Sequence, residues 1–362
     1  MRSSCPYNSQ PASARWREAV SQISPAEVDP TMTAHVKIDR NTVVASAGSC
    51  FAQHIRNHFI RRGYNYLIVE PGPQELDEDE REERSYGIFP ARFGNVYTTV
   101  QLWQLFERAY GRFTPAEDYW LDDGRFFDPF RPHVEPGGYS TLAALREDRA
   151  AHLAAARRMF ETVEVFIFTL GLTEAWRSRI DGAVFPVCPG CSVGTFDPER
   201  HEFVNFNVTE TVDGLFAFIT ALASMNPSVR IILTVSPVPL AATMTANHVI
   251  EATTYSKSVL RVAAEQAREC FSQVSYFPSY EIITGTGRAH EFFARDRRNV
   301  TPSGVGRAMD LFFQRHAGEA PVFMPESDMP PAQHPPAIDE LKCDEETALR
   351  GLELLKTPAN PR

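Results

Sequence analysis

The sequence predicts an α/β protein: a three-layer, doubly wound parallel sheet of about five strands with helices on both faces. Three observations carry that prediction. Short runs rich in Val, Ile, Leu and Phe recur at residues 42–45, 64–69, 163–169, 229–235 and 274–277, with the length and composition of strands buried on both sides. Longer stretches with helical spacing separate most of these runs. The first unit, Asn41 to Gly63, reads as an apolar strand, a small-residue turn (Ser46-Ala47-Gly48-Ser49-Cys50) and an amphipathic helix. A second strand follows at once, and such a βαβ start implies a parallel sheet.

Taken in order, residues 1–36 are polar and irregular, with one short helix near Ala14–Ile23, and read as an arm laid on the domain. The α/β domain spans 37–318. Its first helix, Phe51 to Arg62, repeats Phe51, Ile55 and Phe59 every fourth residue and stops at Gly63. The acidic run Glu75–Arg84 beside Pro71-Gly72-Pro73 reads as a solvated loop. A helix follows at Thr99–Tyr110. A long Pro/Gly/aromatic loop spans Asp122–Ser140, and loops of that length are often functional. Helices are expected at Leu142–Glu161, Thr209–Met225, Ala252–Phe271 and Val305–Arg315, with an irregular insertion at Arg177–Phe206. Residues 319–362 form a proline-rich tail with one short helix at Leu341–Leu355.

Composition bounds the function. A chain of 362 residues with 43% apolar and 23% charged residues has the make-up of a globular protein with ample core. Its net charge of −10, without an evident basic patch, argues against a nucleic-acid partner. No apolar run reads as long enough to span a bilayer and the N-terminus lacks a signal-peptide core, so a cytoplasmic location is expected. The six cysteines are sparse, which excludes a secreted disulfide framework. Cys188-Pro-Gly-Cys191 is the close pair. It lacks the second pair a zinc site needs and reads as a loop turn rather than metal or redox chemistry. No cofactor is called for, and the sequence leaves the oligomeric state open.

In doubly wound sheets ligands bind beyond the carboxyl ends of the strands. Ser49, Thr173-Glu174, Ser236 and Glu281 all fall there. A serine at a strand-to-helix turn can expose its hydroxyl while its own N–H helps to hold an oxyanion.

Gly48-Ser49-Cys50-Phe51-Ala52 matches letter for letter the motif that names the GSCFA family, which resembles a branch of the SGNH (GDSL-type) hydrolases. The resemblance extends through Phe93-Gly94-Asn95-Val-Tyr97-Thr98, Asp128-Pro-Phe-Arg131-Pro, Thr169-Leu-Gly-Leu-Thr-Glu-Ala-Trp176, Thr234-Val-Ser-Pro-Val-Pro239, Ser256-Lys257 and Tyr276-Phe-Pro-Ser-Tyr-Glu281, over roughly residues 40–316. It implies Ser49 as nucleophile, with oxyanion donors from Ser49 N–H and Gly94 N–H. The asparagine of the third block is replaced by Thr173, so Thr173 or Asn95 is expected to supply the remaining donor. The last block, Asp-x-x-His in SGNH enzymes, keeps Asp296 but has Asn299 at the histidine position. Asparagine cannot take up a proton at neutral pH, so three readings stay open: a substitute histidine, a different base, or a site that binds without turnover.

His248 is the substitute expected from its place between the Ser236-Pro-Val-Pro strand end and Ser256-Lys257. His54, five residues beyond Ser49, is turned about 140° from it by helical spacing; His133 and His290 are weaker choices. Glu174 is expected either as an acid or base or as a structural carboxylate bonded to a neighbouring loop. Cys50 reads as a buried small thiol and Lys257 as a solvated helix lysine. Trp176, Tyr97, Phe127, Phe130 and Tyr139 read as either a sugar-binding wall or core. The resemblance thus implies a serine esterase or O-acyltransferase acting on an acyl, above all acetyl, ester of a glycan (polysaccharide) or small polar molecule. The alternative is a non-catalytic glycan- or ligand-binding protein on a degenerate hydrolase scaffold.

Overall fold

A computed structural model describes residues 5–31, 34–285 and 287–320. The proline-rich tail and the helix expected at 341–355 lie outside the described residues. In chain order the elements are β1 (Val44–Gly48), α1 (Phe51–Arg61), α2 (Glu78–Glu83), α3 (Thr99–Ala109), β2 (Trp120–Asp122), β3 (Arg125–Phe127), α4 (Leu142–Thr162), β4 (Val165–Leu170), β5 (Glu174–Ser178), β6 (Val184–Phe185), β7 (His201–Asn205), α5 (Val208–Met225), β8 (Arg230–Val235), α6 (Val249–Cys270), β9 (Val274–Tyr276), α7 (Ser279–Thr284), α8 (Ala289–Phe292) and α9 (Pro302–Ala317).

The central sheet is parallel and four-stranded, in the order β1-β4-β8-β9. The strand expected at 64–69 is reduced to one parallel bridge, Tyr66 to Val44. Val44 N–H donates to Asn65 O and Leu67 N–H to Val44 O, but Val69 N–H is already turned to Pro90 O. The segment therefore leaves the edge of β1 after two hydrogen bonds, just ahead of Pro71-Gly72-Pro73. The chain goes first to that edge and then crosses back to β4. Connections thus leave in opposite directions on the two sides of β1, and a crevice at such a reversal is where ligands bind in doubly wound sheets.

Strand alternation divides the core in two. Ala45, Ala47, Phe166, Phe168, Ile231, Leu233 and Val235 pack with buried residues of α3, α4, α5 and α6. Val44, Val165, Ile167 and Ile232 face the other way, onto α1, α7 and α9. Burial on both faces explains why these strands read as unbroken apolar runs. The helix starts are specified locally. Thr98 and Asn207 form capping boxes with Gln101 and Glu210, Thr141 and Thr301 cap α4 and α9, and Pro302 begins α9.

Several expectations change. The acidic run is not all loop: Asp77 and Glu80 make a capping box that starts the exposed helix α2. The insertion at 177–206 carries a three-stranded antiparallel sheet, β6-β5-β7, that begins at Glu174. The 122–140 loop includes the β2-β3 pairing. Helix α5 is, by length and composition, apolar enough to cross a membrane, contrary to the reading of the sequence. In the fold it packs Leu215, Phe218, Ile219 and Leu222 into the core. The N-terminal arm holds two 3₁₀ turns and a π-helical turn at Arg17–Ser21. Its last part docks on α9: Arg307 donates to Val28 O, Arg315 pairs with Asp29, and His316 Nδ1 donates to Val36 O at 2.9 Å.

Candidate functional site

β1 runs three residues further than its apolar core, because Ser46, Ala47 and Gly48 are small enough to pair with Ile167, Phe168 and Thr169. The last pair is very tight. Gly48 has φ +146°, and a Cβ there would lie 2.5 Å from Thr169 O, so glycine is required by both the dihedral and the contact. Ser49 follows directly, buried to 4% exposure, and its Oγ has no hydrogen-bond partner among the described residues. Buried hydroxyls are normally bonded, so this one calls for an explanation. Of the six helices of eleven or more residues among those described, α1 alone has no side-chain N-cap. Its positive dipole end lies beside Ser49, while the Ala52 and Gln53 N–H groups close the turn on Ser49 O and Cys50 O. Cys50 is buried, as expected.

The second block is fastened to the end of β1 by backbone bonds. Val96 N–H donates to Gly48 O at 2.8 Å, while Tyr97 O accepts from Gly171 N–H at 2.9 Å and Leu172 N–H at 3.3 Å. One loop thus ties β1 to the end of β4. Gly171 must be small here, since a Cβ would meet Tyr97 O at 3.1 Å. Gly94 takes a left-handed φ of +71° with open space beside its Cα, and Asn95 is buried. The anchor of the loop is Arg92, 1% exposed, which donates to Arg84 O, Tyr86 Oη, Val134 O and Asp148. The Asp128-Pro-Phe-Arg131 block belongs to the same buried polar cluster. Asp128 accepts from Arg131 Nε and Arg149 Nε, each at 3.0 Å. Burial would raise its pKa, but the guanidinium groups of Arg131, Arg149 and Arg108 overcome that and hold it well below the usual carboxylate range.

The third block leaves β4 and is held by α6. Thr173 N–H donates to Ser256 Oγ at 3.0 Å, and Lys257 Nζ donates to Gly171 O at 2.6 Å. Lys257 is therefore not a solvated lysine: it is 2% exposed, and it braces the strand end. Helical spacing contained this signal, since Ala252, Ser256, Leu260 and Ala264 recur every fourth residue and all are buried. Thr173 Oγ1 donates to Asn205 Oδ1 at 2.7 Å, so its single hydroxyl proton is committed to β7. Glu174 accepts from Thr243 Oγ1 at 2.6 Å and from Met244 N–H at 3.2 Å. That is the neighbouring-loop arrangement, one of its two expected roles.

Beyond this junction opens a cleft of about 620 Å³, within the usual range for small-molecule sites. It is lined by Tyr97, Leu172, Glu174, Trp176, Phe196 and Phe203 and by the 186–191 and 240–244 segments. Trp176 meets Phe196 and Phe203 edge to face at 5.2 and 5.9 Å between ring centroids. Of the aromatics expected along a sugar-binding wall, Tyr97 and Trp176 line this cleft. Phe127 and Phe130 lie in an apolar cluster, and Tyr139 bonds to Asp148.

The histidines lie elsewhere. His248 is exposed and caps α6, its Nδ1 accepting from Ile250 N–H at 3.2 Å. His54 packs edge to face on Phe51; burial, reinforced by Arg61, lowers its pKa to about 4, so it is neutral at pH 7. His133 Nε2 bonds to Ser192 Oγ, and His290 is exposed. Asp296 is exposed and accepts from the N–H groups of Arg298 and Asn299 and from Asn299 Nδ2 at 2.7 Å. The Asn299 amide is thus bonded to the Asp296 carboxylate. The structure thus brings Ser49, the Gly94–Asn95 loop and the Thr173–Glu174 junction to one end of the sheet, and joins neither His248 nor Asp296 to Ser49 by a hydrogen bond. No group of three or more metal-ligating side chains occurs among the described residues.

No curated protein and no solved structure matches the sequence significantly. The GSCFA family model matches residues 43–312, from the residue before β1 through most of α9, and so covers every segment that builds this site. By that match the chain belongs to the GSCFA family.

Proposed function

We propose that the chain is an SGNH-like serine esterase or O-acyltransferase with Ser49 as its nucleophile. One observation carries this reading: a buried hydroxyl without a hydrogen-bond partner among the described residues, at a strand end beside the sheet's reversal point and in front of an uncapped helix. The SGNH-like fold has the same support, since the reversal lies between β1 and β4. In the reaction Ser49 Oγ bonds to the acyl carbon, the ester C–O bond breaks, and the proton of Oγ ends on the departing alcohol. Water or a second alcohol then takes the acyl group. Backbone donors at Ser49 and Gly94 would hold the oxyanion. Thr173 stands back from that task because its hydroxyl proton is given to Asn205. Aromatic faces at Tyr97 and Trp176, with Glu174 beside them, suit the C–H faces and hydroxyls of an acylated sugar.

A second reading, a ligand-binding protein on a degenerate scaffold, is favoured by a specific observation. Ser49 Oγ has no imidazole bonded to it, and the Asp296 carboxylate is bonded to an amide. Without a general base about 10²–10⁴ in rate is forfeited. The two readings separate on p-nitrophenyl acetate and an acetylated oligosaccharide. The enzyme reading expects Ser49→Ala to lose at least about 10²-fold in turnover and a fluorophosphonate to label the wild type at Ser49. Equal background rates and no label would leave the binding protein.

A further inference from the structure

The Cys188-Pro189-Gly190-Cys191 segment reads in the sequence as a loop turn, and a turn it is. Cys191 N–H donates to Cys188 O at 3.1 Å, and Gly190 N–H to Val193 O at 2.9 Å. Gly190 has φ +85°, and a Cβ on it would meet Phe196 N at 3.0 Å. Proline at the second position and a left-handed glycine at the third give the pattern of a type II turn. A turn of that kind brings its first and fourth Cα atoms within about 7 Å, and disulfides span about 4.4–6.8 Å. Both cysteines are free thiols, both are partly exposed, and both line the 620 Å³ cleft with Glu174 and Trp176.

We propose that Cys188 and Cys191 form a thiol–disulfide couple in the wall of the cleft, interconverted by low-molecular-weight disulfides and thiols of the glutathione class. A turn of this kind sets its end residues within disulfide reach, so closure falls to side-chain rotation. The pair is also chemically unequal. Cys188 Sγ donates to Pro189 O at 3.4 Å, and the interaction between the two thiols raises the pKa of Cys188 and lowers that of Cys191 to about 7. The thiolate is the attacking form. Cys191 Sγ attacks one sulfur of glutathione disulfide, the S–S bond breaks, and one glutathione leaves as thiolate, which takes the Cys188 proton. Cys188 Sγ then attacks Cys191 Sγ and expels the second glutathione. Two protein thiols are oxidised and one glutathione disulfide is reduced to two thiols. The couple does not depend on Ser49 or on any activity of the cleft. Its consequence lies at the cleft wall, where a rigid disulfide replaces two hydrogen-bonding thiols.

The test uses the reduced full-length chain. Trypsin releases Ile180–Arg200, which contains both cysteines and no other. After incubation with excess glutathione disulfide, acid quench and alkylation, that peptide should be lighter by two hydrogens, free of alkyl groups and free of glutathione. Dithiothreitol should restore it, and the oxidised fraction should follow the glutathione ratio. In Cys188→Ser the peptide should instead keep one glutathione on Cys191. With limiting iodoacetamide at pH 7, singly labelled wild-type peptide should carry the label on Cys191 several-fold more often than on Cys188. A wild-type peptide that stays doubly alkylatable while exposed Cys5 and Cys270 react would overturn the proposal. So would one that stops at a stable glutathione adduct.

Discussion

At Gly48 the backbone enters a region that side chains rarely adopt, and the space a methyl would need is occupied by the backbone of Thr169. Neither contact partner can rotate away, because both belong to the β1–β4 ladder. Gly48→Ala should therefore destabilise the fold by about 2–4 kcal/mol, combining the dihedral penalty with overpacking. It should also displace Ser49, the next residue, and with it any reaction that depends on the serine. Urea unfolding reads the first effect and fluorophosphonate labelling of the folded fraction the second. A Gly48→Ala variant within about 0.5 kcal/mol of wild type, the ordinary range for surface changes, would show that the strand end is softer than its geometry. Lys257 teaches a complementary lesson. Its charge suggests a surface position, yet it borders the buried row Ala252, Ser256, Leu260 and Ala264, and its ammonium bonds to Gly171 O in the interior. Residue type alone gives the wrong environment here; the register of the helix gives the right one.

Elements are where the Asp128 block acts. The loop at 122–140 and helix α4 are joined by Asp128 to Arg131 and Arg149, while Asp148 joins Arg131 and Arg92, so a long connection is clamped to α4 and to the Gly94–Asn95 loop. Asp128→Asn leaves buried guanidinium groups without their carboxylate and should cost about 3–5 kcal/mol. Removing Arg149 as well should recover part of that loss, and a double-mutant cycle in denaturant measures how much. Strictly additive costs would mean that the clamp is not a unit. Such a network was not legible in the sequence, because its members lie up to about sixty residues apart and pair only through tertiary contact. The main strands and helices were legible, since burial on both faces writes unbroken apolar runs and the caps at Thr98 and Asn207 are local. What failed was decided by competition between distant groups. Tyr64–Val69 has strand-like residues but loses Val69 to Pro90, and Arg177–Phe206 lacks a long apolar run because its sheet is partly exposed. The serine turn was readable from its small residues. The partners of Thr173 and Glu174 were not, because β7 and the 243–244 segment reach them through the fold.

For the molecule as a whole, the buried histidines set its response to acid. His152, on α4, donates Nδ1–H to Glu70, and His316, on α9, donates to Val36 O. Burial lowers both pKa values to about 4, and in neither case does the favourable hydrogen bond compensate. An unfolded chain titrates its histidines near 6.5. Above that pH both states are neutral and the fold bears no penalty. As pH falls below about 6.5 the unfolded state takes up protons first, so stability declines until the folded groups also protonate near pH 4. For two groups only 1% and 3% exposed, a shift of this size corresponds to on the order of 3 kcal/mol each. His54 and His58 on α1 are shifted in the same direction, to about 4, and add to the slope. The carboxylates Glu70 and Asp148 have lowered pKa values, the opposing effect of burial being outweighed by His152 at Glu70 and by Arg131 at Asp148. Their contribution is present above the ordinary carboxylate range and is lost only as pH falls through their folded values. Acid weakening should thus begin near pH 6.5, well above where carboxylate protonation would start it. Urea melts from pH 7.5 down to 4.5 should show the midpoint falling steadily from pH 6.5. In His152→Asn/His316→Asn, whose amides can replace the Nδ1–H donors without titrating, the decline should be shallower. A wild-type midpoint that stays flat down to pH 5 would mean that these imidazoles reach water or a counter-charge in the folded protein, and that the core around α4 and α9 is less closed than its packing.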